Sequence, residues 1–258
     1  MRIQDKVVVI TGGASGLGLC TANYLLKEKG ARIAIFDQNA EAGAQAIKEL
    51  GDERAFFVAT DVSDEASVQA AVDAVMTRFG AINICVNGAA LANGFKILDR
   101  EGKATPLAKF AKSTAVNLNG VFNVMSKCVA EMAKNAPEAG EERGVVINVS
   151  SGAAYEGQVG QTAYAATKAA IIGMNIPAAR ELAGIGVRVN AIAPGLFLTA
   201  MVAALDEKIL DALKAGMEAP KRLGDPREFA HTCAYIIENA YVNGETIRLD
   251  GAARLRAR

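Results

Sequence analysis

Residues 6–18 read KVVVITGGASGLG, an apolar run that passes straight into a glycine-rich turn. Residues 19–30, LCTANYLLKEKG, follow with helical composition. Strand, turn and helix in that order are the opening of a βαβ unit. Gly12, Gly16 and Gly18 permit a tight turn, close approach of backbone to a diphosphate, and close packing of helix on strand. The spacing is Gly-x-x-x-Gly-x-Gly, not the commoner GxGxxG of dinucleotide-binding turns. The flanking elements therefore carry the assignment, against a glycine-rich turn that holds nothing.

Outward from this stretch, short apolar runs alternate with longer helix-compatible ones. Strands are expected at 6–11, 31–36, 55–59, 81–86, 144–149, 187–192 and 245–249, and helices at 16–29, 40–50, 65–79, 108–134, 164–183 and 226–238. Several of the strands are apolar on both faces, as in a mostly parallel sheet covered by helices on each side. Pro177 falls inside the helix 164–183, where it removes one backbone hydrogen bond. Segment 91–107, LANGFKILDREGKATPL, reads as an excursion at the rim of the sheet, over a ligand. No Pro/Gly-rich linker divides the chain, so residues 1–258 are expected to form a single α/β domain.

Composition excludes several functions. The chain has 258 residues, 51% of them hydrophobic, which is enough for a full-sized core. Lys plus Arg equals Asp plus Glu at 28 each, so no global positive field attracts nucleic acid or an anionic membrane. The tail LDGAARLRAR carries Arg254, Arg256 and Arg258 and is expected to be a solvated terminus. Cys20, Cys85, Cys128 and Cys233 form no CxxC and read as reduced core residues. With no signal-peptide pattern and no uncharged apolar run of membrane-spanning length, a cytoplasmic protein is expected.

Asp37 ends the second strand in IAIFDQN, near the distance at which an acid binds the ribose hydroxyls of NAD. Its carboxylate repels a 2′-phosphate, and Gln38 and Asn39 provide no arginine to receive one, so NAD is favoured over NADP. Asp61, in VATDVS, is a candidate for the adenine side, and Asn87, in CVNGAA, for the same crevice; ordinary strand-end capping explains either one equally well.

The chemistry falls later in the chain. Tyr164 and Lys168 in QTAYAATKAAIIGM lie one helical turn apart on one face, and Ser151 follows the run VVINV. A lysine beside the phenol favours the phenolate, so Tyr164 is the expected acid/base. Ser151 is expected to hydrogen-bond the substrate oxygen, where charge develops. Asn117, in TAVNLNGVFNV, is unfavourable in mid-helix, which points to a side chain engaged in a polar contact. The one histidine, His231, lies in EFAHTCAYII without metal-ligand spacing, so no metal is expected.

At these residues the chain resembles the short-chain dehydrogenases/reductases. The pieces that match are TGGASGLG at 11–18, Asn87, Asn117, Ser151, Tyr164-Ala-Ala-Thr-Lys168 and Pro194-Gly195, in family order across residues 6–252. A longer resemblance, to the type 2 3-hydroxyacyl-CoA dehydrogenase subgroup (17β-hydroxysteroid dehydrogenase type 10), rests on EERGVVINVSS, YEGQVGQTAY, IAPGLF, RLGDP, IIENAYVNGETIRLDGA and the 91–107 insertion. It implies a Rossmann-type, doubly wound, seven-stranded sheet, a homotetramer, and NAD-dependent interconversion of (S)-3-hydroxyacyl-CoA and 3-oxoacyl-CoA.

Carried over residue by residue, the resemblance makes Ser15, Leu17, Asp37, Asp61, Val62 and Gly88 cofactor contacts. Gln158 becomes a substrate contact, and Pro194, Gly195 and Phe197 form the nicotinamide pocket. Lys168 holds the ribose, and Asn117 positions Lys168 through a water. One departure is Asn87-Gly88-Ala89-Ala90, where the family has Asn-x-Ala-Gly.

Other substrates of the same chemistry stay open: a hydroxysteroid, another secondary alcohol, or a 3-oxoacyl-carrier-protein. Lys96, Arg100 and Lys103 offer a basic rim for a CoA diphosphate, but Asp99 and Glu101 are interleaved with them. A reading from another class is a nucleotide-binding scaffold that has lost turnover.

Overall fold

The apolar runs of the sequence become seven strands because each supplies side chains to two hydrophobic layers at once. In the computed structural model, which describes residues 1–257, these are β1 (Val7–Thr11), β2 (Arg32–Asp37), β3 (Ala55–Ala59), β4 (Ile84–Asn87), β5 (Gly144–Val149), β6 (Val187–Pro194) and β7 (Thr246–Leu249). All pairs are parallel, in the order β3-β2-β1-β4-β5-β6-β7.

Alternate strand residues point to opposite faces. Val8, Ile10, Ile33, Ile35 and Ile147 pack under α1 (Gly16–Lys27), α2 (Ala40–Leu50) and α9 (Pro226–Glu238). Val7, Val9, Phe36, Cys85 and Val146 pack under α3 (Glu65–Phe79), α5 (Gly120–Met132) and α6 (Thr162–Leu182). The result is a doubly wound, three-layer α/β domain, as the alternation of runs predicts.

The chain moves outward from β1 through β2 to β3, then crosses back to place β4 on the other side of β1. Loops after β1 and β4 therefore diverge, and a crevice opens at the carboxyl ends of these neighbours. Several helices around it are closed by their own side chains. Asn39 caps α2, Asp64 caps α3, and Asp225 with Glu228 forms a capping box on α9. α1 begins beside the crevice with no side-chain cap and no acid in its first turn.

Three readings are corrected. The helix expected at 108–134 is α4 (Leu107–Thr114) and α5 joined by a π turn at Ala115–Asn119. Region 195–224, where the sequence reading places no strand or helix, contains α7 (Ala200–Ala203) and α8 (Glu207–Ala215), too short to show a long helical period in the sequence. The helix expected at 164–183 is α6, which carries Pro177 within it, as expected. The tail is not a free terminus: Ala253 is buried and packs with Met217 and Leu223, while Arg258 lies outside the described residues. Cys85, Cys128 and Cys233 are buried and Cys20 is half-buried, all as free thiols. Among the described residues no helix is long and apolar enough to cross a membrane, and no cluster of His, Cys, Asp and Glu could hold a metal ion.

Candidate active site

The crevice is a cleft of about 830 Å³ running from the β1 turn to Tyr164 and Lys168. Its floor at one end is the glycine turn. Gly12 has φ +67°, and a Cβ on Gly18 would stand 2.2 Å from the Gly12 carbonyl oxygen, so helix and turn meet only because residue 18 has no side chain. Gly16 is the opposite case. A Cβ there would meet only the Thr199 methyl, at 3.7 Å, and would project into the cleft. With α1 uncapped, its first-turn N–H groups face the cleft, and the first helical bond is donated by Leu19 to Ser15. Such a cradle of backbone donors suits a diphosphate.

Ser15, Gly16, Leu17, Asp37, Asp61, Val62 and Gly88 all line this cleft, as do Pro194, Gly195 and Phe197 at its far end. The Asp37 carboxylate accepts from the Ala14 and Asn39 amides at 3.3 and 3.1 Å, which fixes it at the rim. Asp61 accepts from the Ser63 hydroxyl and amide, and those bonds hold its carboxyl below the usual range. Phe197 packs edge-on against Phe229, with ring centroids 6.2 Å apart.

Two expected contacts are not in the lining. Asn87 is buried below the floor, where its Nδ2 donates to Asn148 Oδ1 at 2.9 Å and ties β4 to β5. Asn117 is also fully buried. Its Oδ1 accepts from the Leu91 amide at 2.7 Å, while its Nδ2 donates to the Leu91 carbonyl and to Thr167 Oγ1. The expected polar engagement of Asn117 is therefore present, and its bonds hold the chain after β4 against α6. Position 88 needs glycine, because a Cβ there would lie 2.9 Å from the Thr11 carbonyl oxygen.

Ser151, Tyr164 and Lys168 come together at the far end. Lys168 is 2% exposed, its Nζ donates to the Val149 carbonyl at 2.7 Å, and it stands 5.8 Å from the centre of the Tyr164 ring. Burial pulls its pKa from 10.5 down to about 8. The Tyr164 phenol is pushed up by burial, and the opposing influence is a hydrogen bond with Ser151. Desolvation is the larger of the two influences on the phenol, ahead of the bond with Ser151.

A second cavity, of about 230 Å³, opens on the other side of Ser151 and Tyr164. These two residues, with Pro194, Gly195 and Leu196, border both spaces. Gln158 lines the second cavity. Met217, Arg248, Asp250, Ala253 and Leu255 line it too, and no sequence signal marked them. Of the three basic residues in the insertion, Lys96 lines an outer recess beside Gln158, while Lys103 pairs with Glu101 at 2.8 Å.

A hydroxyl-bearing carbon placed between the two cavities would lie between a proton donor or acceptor and a diphosphate-sized cradle. Comparison with known proteins agrees with that geometry. The family model described as short chain dehydrogenase matches residues 6–210. The 3-hydroxyacyl-CoA dehydrogenase type-2 of Homo sapiens is 45% identical over 255 residues, covering 98% of this chain and 97% of its own. The crystal structure of 3-hydroxyacyl-CoA dehydrogenase type-2 from Mycobacterium avium superposes with a TM-score of 0.92 at 40% identity, covering 100% of this chain and 98% of its own. That of 3-ketoacyl-(acyl-carrier-protein) reductase from Brucella melitensis, complexed with NADH, gives 0.84 at 29%, covering 98% of this chain and 100% of its own.

Proposed function

Because the chain belongs to the short-chain dehydrogenase family, we propose that it is an NAD-dependent oxidoreductase interconverting (S)-3-hydroxyacyl-CoA and 3-oxoacyl-CoA. The observation that carries this is the position of Ser151 and Tyr164 on the shared wall of the two cavities, with Lys168 on the cleft side.

The chemistry supplied by bound NAD is hydride transfer to or from the carbon bearing the oxygen. Tyr164 gives a proton to that oxygen in reduction and removes it in oxidation. Ser151 donates a hydrogen bond to the same oxygen as its charge develops. Lys168, with Tyr164, borders the space for the nicotinamide ribose, and its charge opposes the rise that burial imposes on the phenol. Gly12, Ser15, Gly16, Leu17 and Gly18 would hold the diphosphate, and Asp37 the adenosine ribose. Asp61, Val62 and Gly88 border the adenine and ribose path, and Pro194, Gly195 and Phe197 the nicotinamide. Asn87 and Asn117 act as positioning residues, since both are bonded beneath these surfaces. Gln158, on the wall of the second cavity, would face the substrate.

Absorbance at 340 nm with NADH and acetoacetyl-CoA tests the reading, with NADPH and a hydroxysteroid/NAD pair in parallel. Rapid NADH oxidation by the thioester is expected. Turnover of the steroid alone would move the protein to another branch of the family, and NADH binding without any turnover would support a scaffold. Cofactor choice has its own test. Asp37→Ser removes the carboxylate that repels a 2′-phosphate, so the NADH-to-NADPH ratio of kcat/KM should fall at least about tenfold, or about 1.4 kcal/mol of discrimination. An unchanged ratio would assign the selection to another residue.

A homotetramer and a cytoplasmic location belong to the same reading. Leu107, Phe110, Phe122 and Ile176, on α4, α5 and α6, expose apolar surface that supports assembly through those helices. Light scattering of the purified protein measures the first, and cell fractionation the second.

A further inference from the structure

We propose that the carboxy-terminal segment Asp250–Ala257 is a fixed latch whose Leu255 limits the length of acyl chain the site accepts. This rests on the reading above and extends it to specificity. The tail is the part of the second cavity's wall that the proposed chemistry leaves without a role, and it is built in from three directions.

The first is its fold. After β7 the chain reverses through Gly251 and Ala252, both in the left-handed region at φ +58° and +59°, and the Ala253 amide donates back to the Asp250 carbonyl at 3.0 Å. Asp250 Oδ1 accepts from the Ala252 amide at 3.0 Å, which holds a non-glycine residue in that conformation. The reversal turns the tail back over the cavity instead of letting it run on into solvent.

The second is an ion-pair lattice. Arg248 grips Glu156 with two parallel bonds of 2.8 and 2.6 Å and donates its Nε to Asp250. Its guanidinium also stacks on the Tyr155 ring, 4.6 Å from the centre. Arg254 adds a bond to Asp250 at 3.0 Å and lies 3.6 Å from Glu156. Glu156 and Tyr155 belong to the loop between Ser151 and Tyr164, so the lattice ties the tail to the loop that carries Gln158. Farther along, Gln158 Nε2 donates to the Arg256 carbonyl and the Val159 amide to that of Ala257.

The third is apolar. Ala253 packs with Met217 and Leu223, against Leu210 and Leu213 of α8. Ala253 and Leu255 thus line the cavity between the Ser151–Tyr164 loop, with Gln158 and Gln161, on one side and Leu196 and Met217 on the other. With its backbone held at both flanks, the Leu255 side chain cannot withdraw when a longer chain enters. A fixed wall of this kind discriminates by methylene count.

The test is the ratio of kcat/KM for (S)-3-hydroxydecanoyl-CoA over (S)-3-hydroxybutyryl-CoA with NAD, in the native protein and in Leu255→Ala. We expect the ratio to rise about tenfold, the discrimination a few methylenes provide in an apolar pocket. A rise of less than threefold overturns the proposal. Glu156→Gln, which weakens the lattice and leaves Leu255 in place, should move the ratio in the same direction, and it decides the matter if Leu255→Ala fails to fold. If the native protein oxidises neither thioester, the reading of function fails. The latch is then judged by the same ratio for 2-decanol over 2-butanol, where the same rise is required.

Discussion

Tyr164→Phe is expected to lower kcat/KM for the thioester by about 10²- to 10⁴-fold, the usual contribution of a positioned general acid/base. NADH affinity should change little. Phenylalanine keeps the ring that packs beside the Lys168 ammonium and removes only the hydroxyl bonded to Ser151. Cofactor titration and steady-state kinetics on the same preparation separate the two effects, and near-native turnover would show that the proton comes from elsewhere. The direction of the phenol's shift adds a pH signature. A phenol raised by burial is protonated across the neutral range. Reduction should therefore be flat through neutrality and decline only at high pH, whereas oxidation, which needs the phenolate, should climb as pH rises.

Lys168→Met should lower turnover by about 100-fold or more and at the same time stabilise the protein at pH 7. The sign follows from the folded pKa lying below the unfolded one. Burial brings Lys168 from 10.5 to about 8, so below pH 8 the ionised lysine withholds about 3 kcal/mol of stability. Between pH 8 and 10.5 the unfolded chain binds the extra proton, and native stability rises with pH across that window. Methionine fills the same volume without charge but forfeits the bond to the Val149 carbonyl, leaving a net gain of about 1 kcal/mol, or about 2–4 °C in Tm. The advantage should shrink as pH approaches 10.5. A Tm that falls at pH 7 would mean that the bond to Val149 outweighs the burial of the charge. A group kept at a cost to stability is what a proton-transfer site requires.

Much of this site was legible in the chain. The β1 turn, Asp37, Asp61, Ser151, Tyr164 and Lys168 all line one cleft, because a parallel βαβ sheet delivers strand ends and helix starts to one edge. The i,i+4 spacing of Tyr164 and Lys168 survived because it needs only a helix. Asn117 was legible as an engaged polar group but not as the partner of Leu91, 26 residues away, and the π turn around it has no composition of its own.

Periodicity, turn chemistry and short-range spacing are local properties. By themselves they determined the strand and helix order, the dinucleotide turn and the Tyr/Lys pair, since each depends on residues within a few positions of one another. Tertiary structure alone decided which force governs the Tyr164 phenol, where Asn87 and Asn117 spend their side chains, and that the arginine-rich tail is a wall. Desolvation depends on what surrounds a group in space. The pairing of Arg248 with Glu156, 92 residues apart, exists only after β7 has docked beside β6.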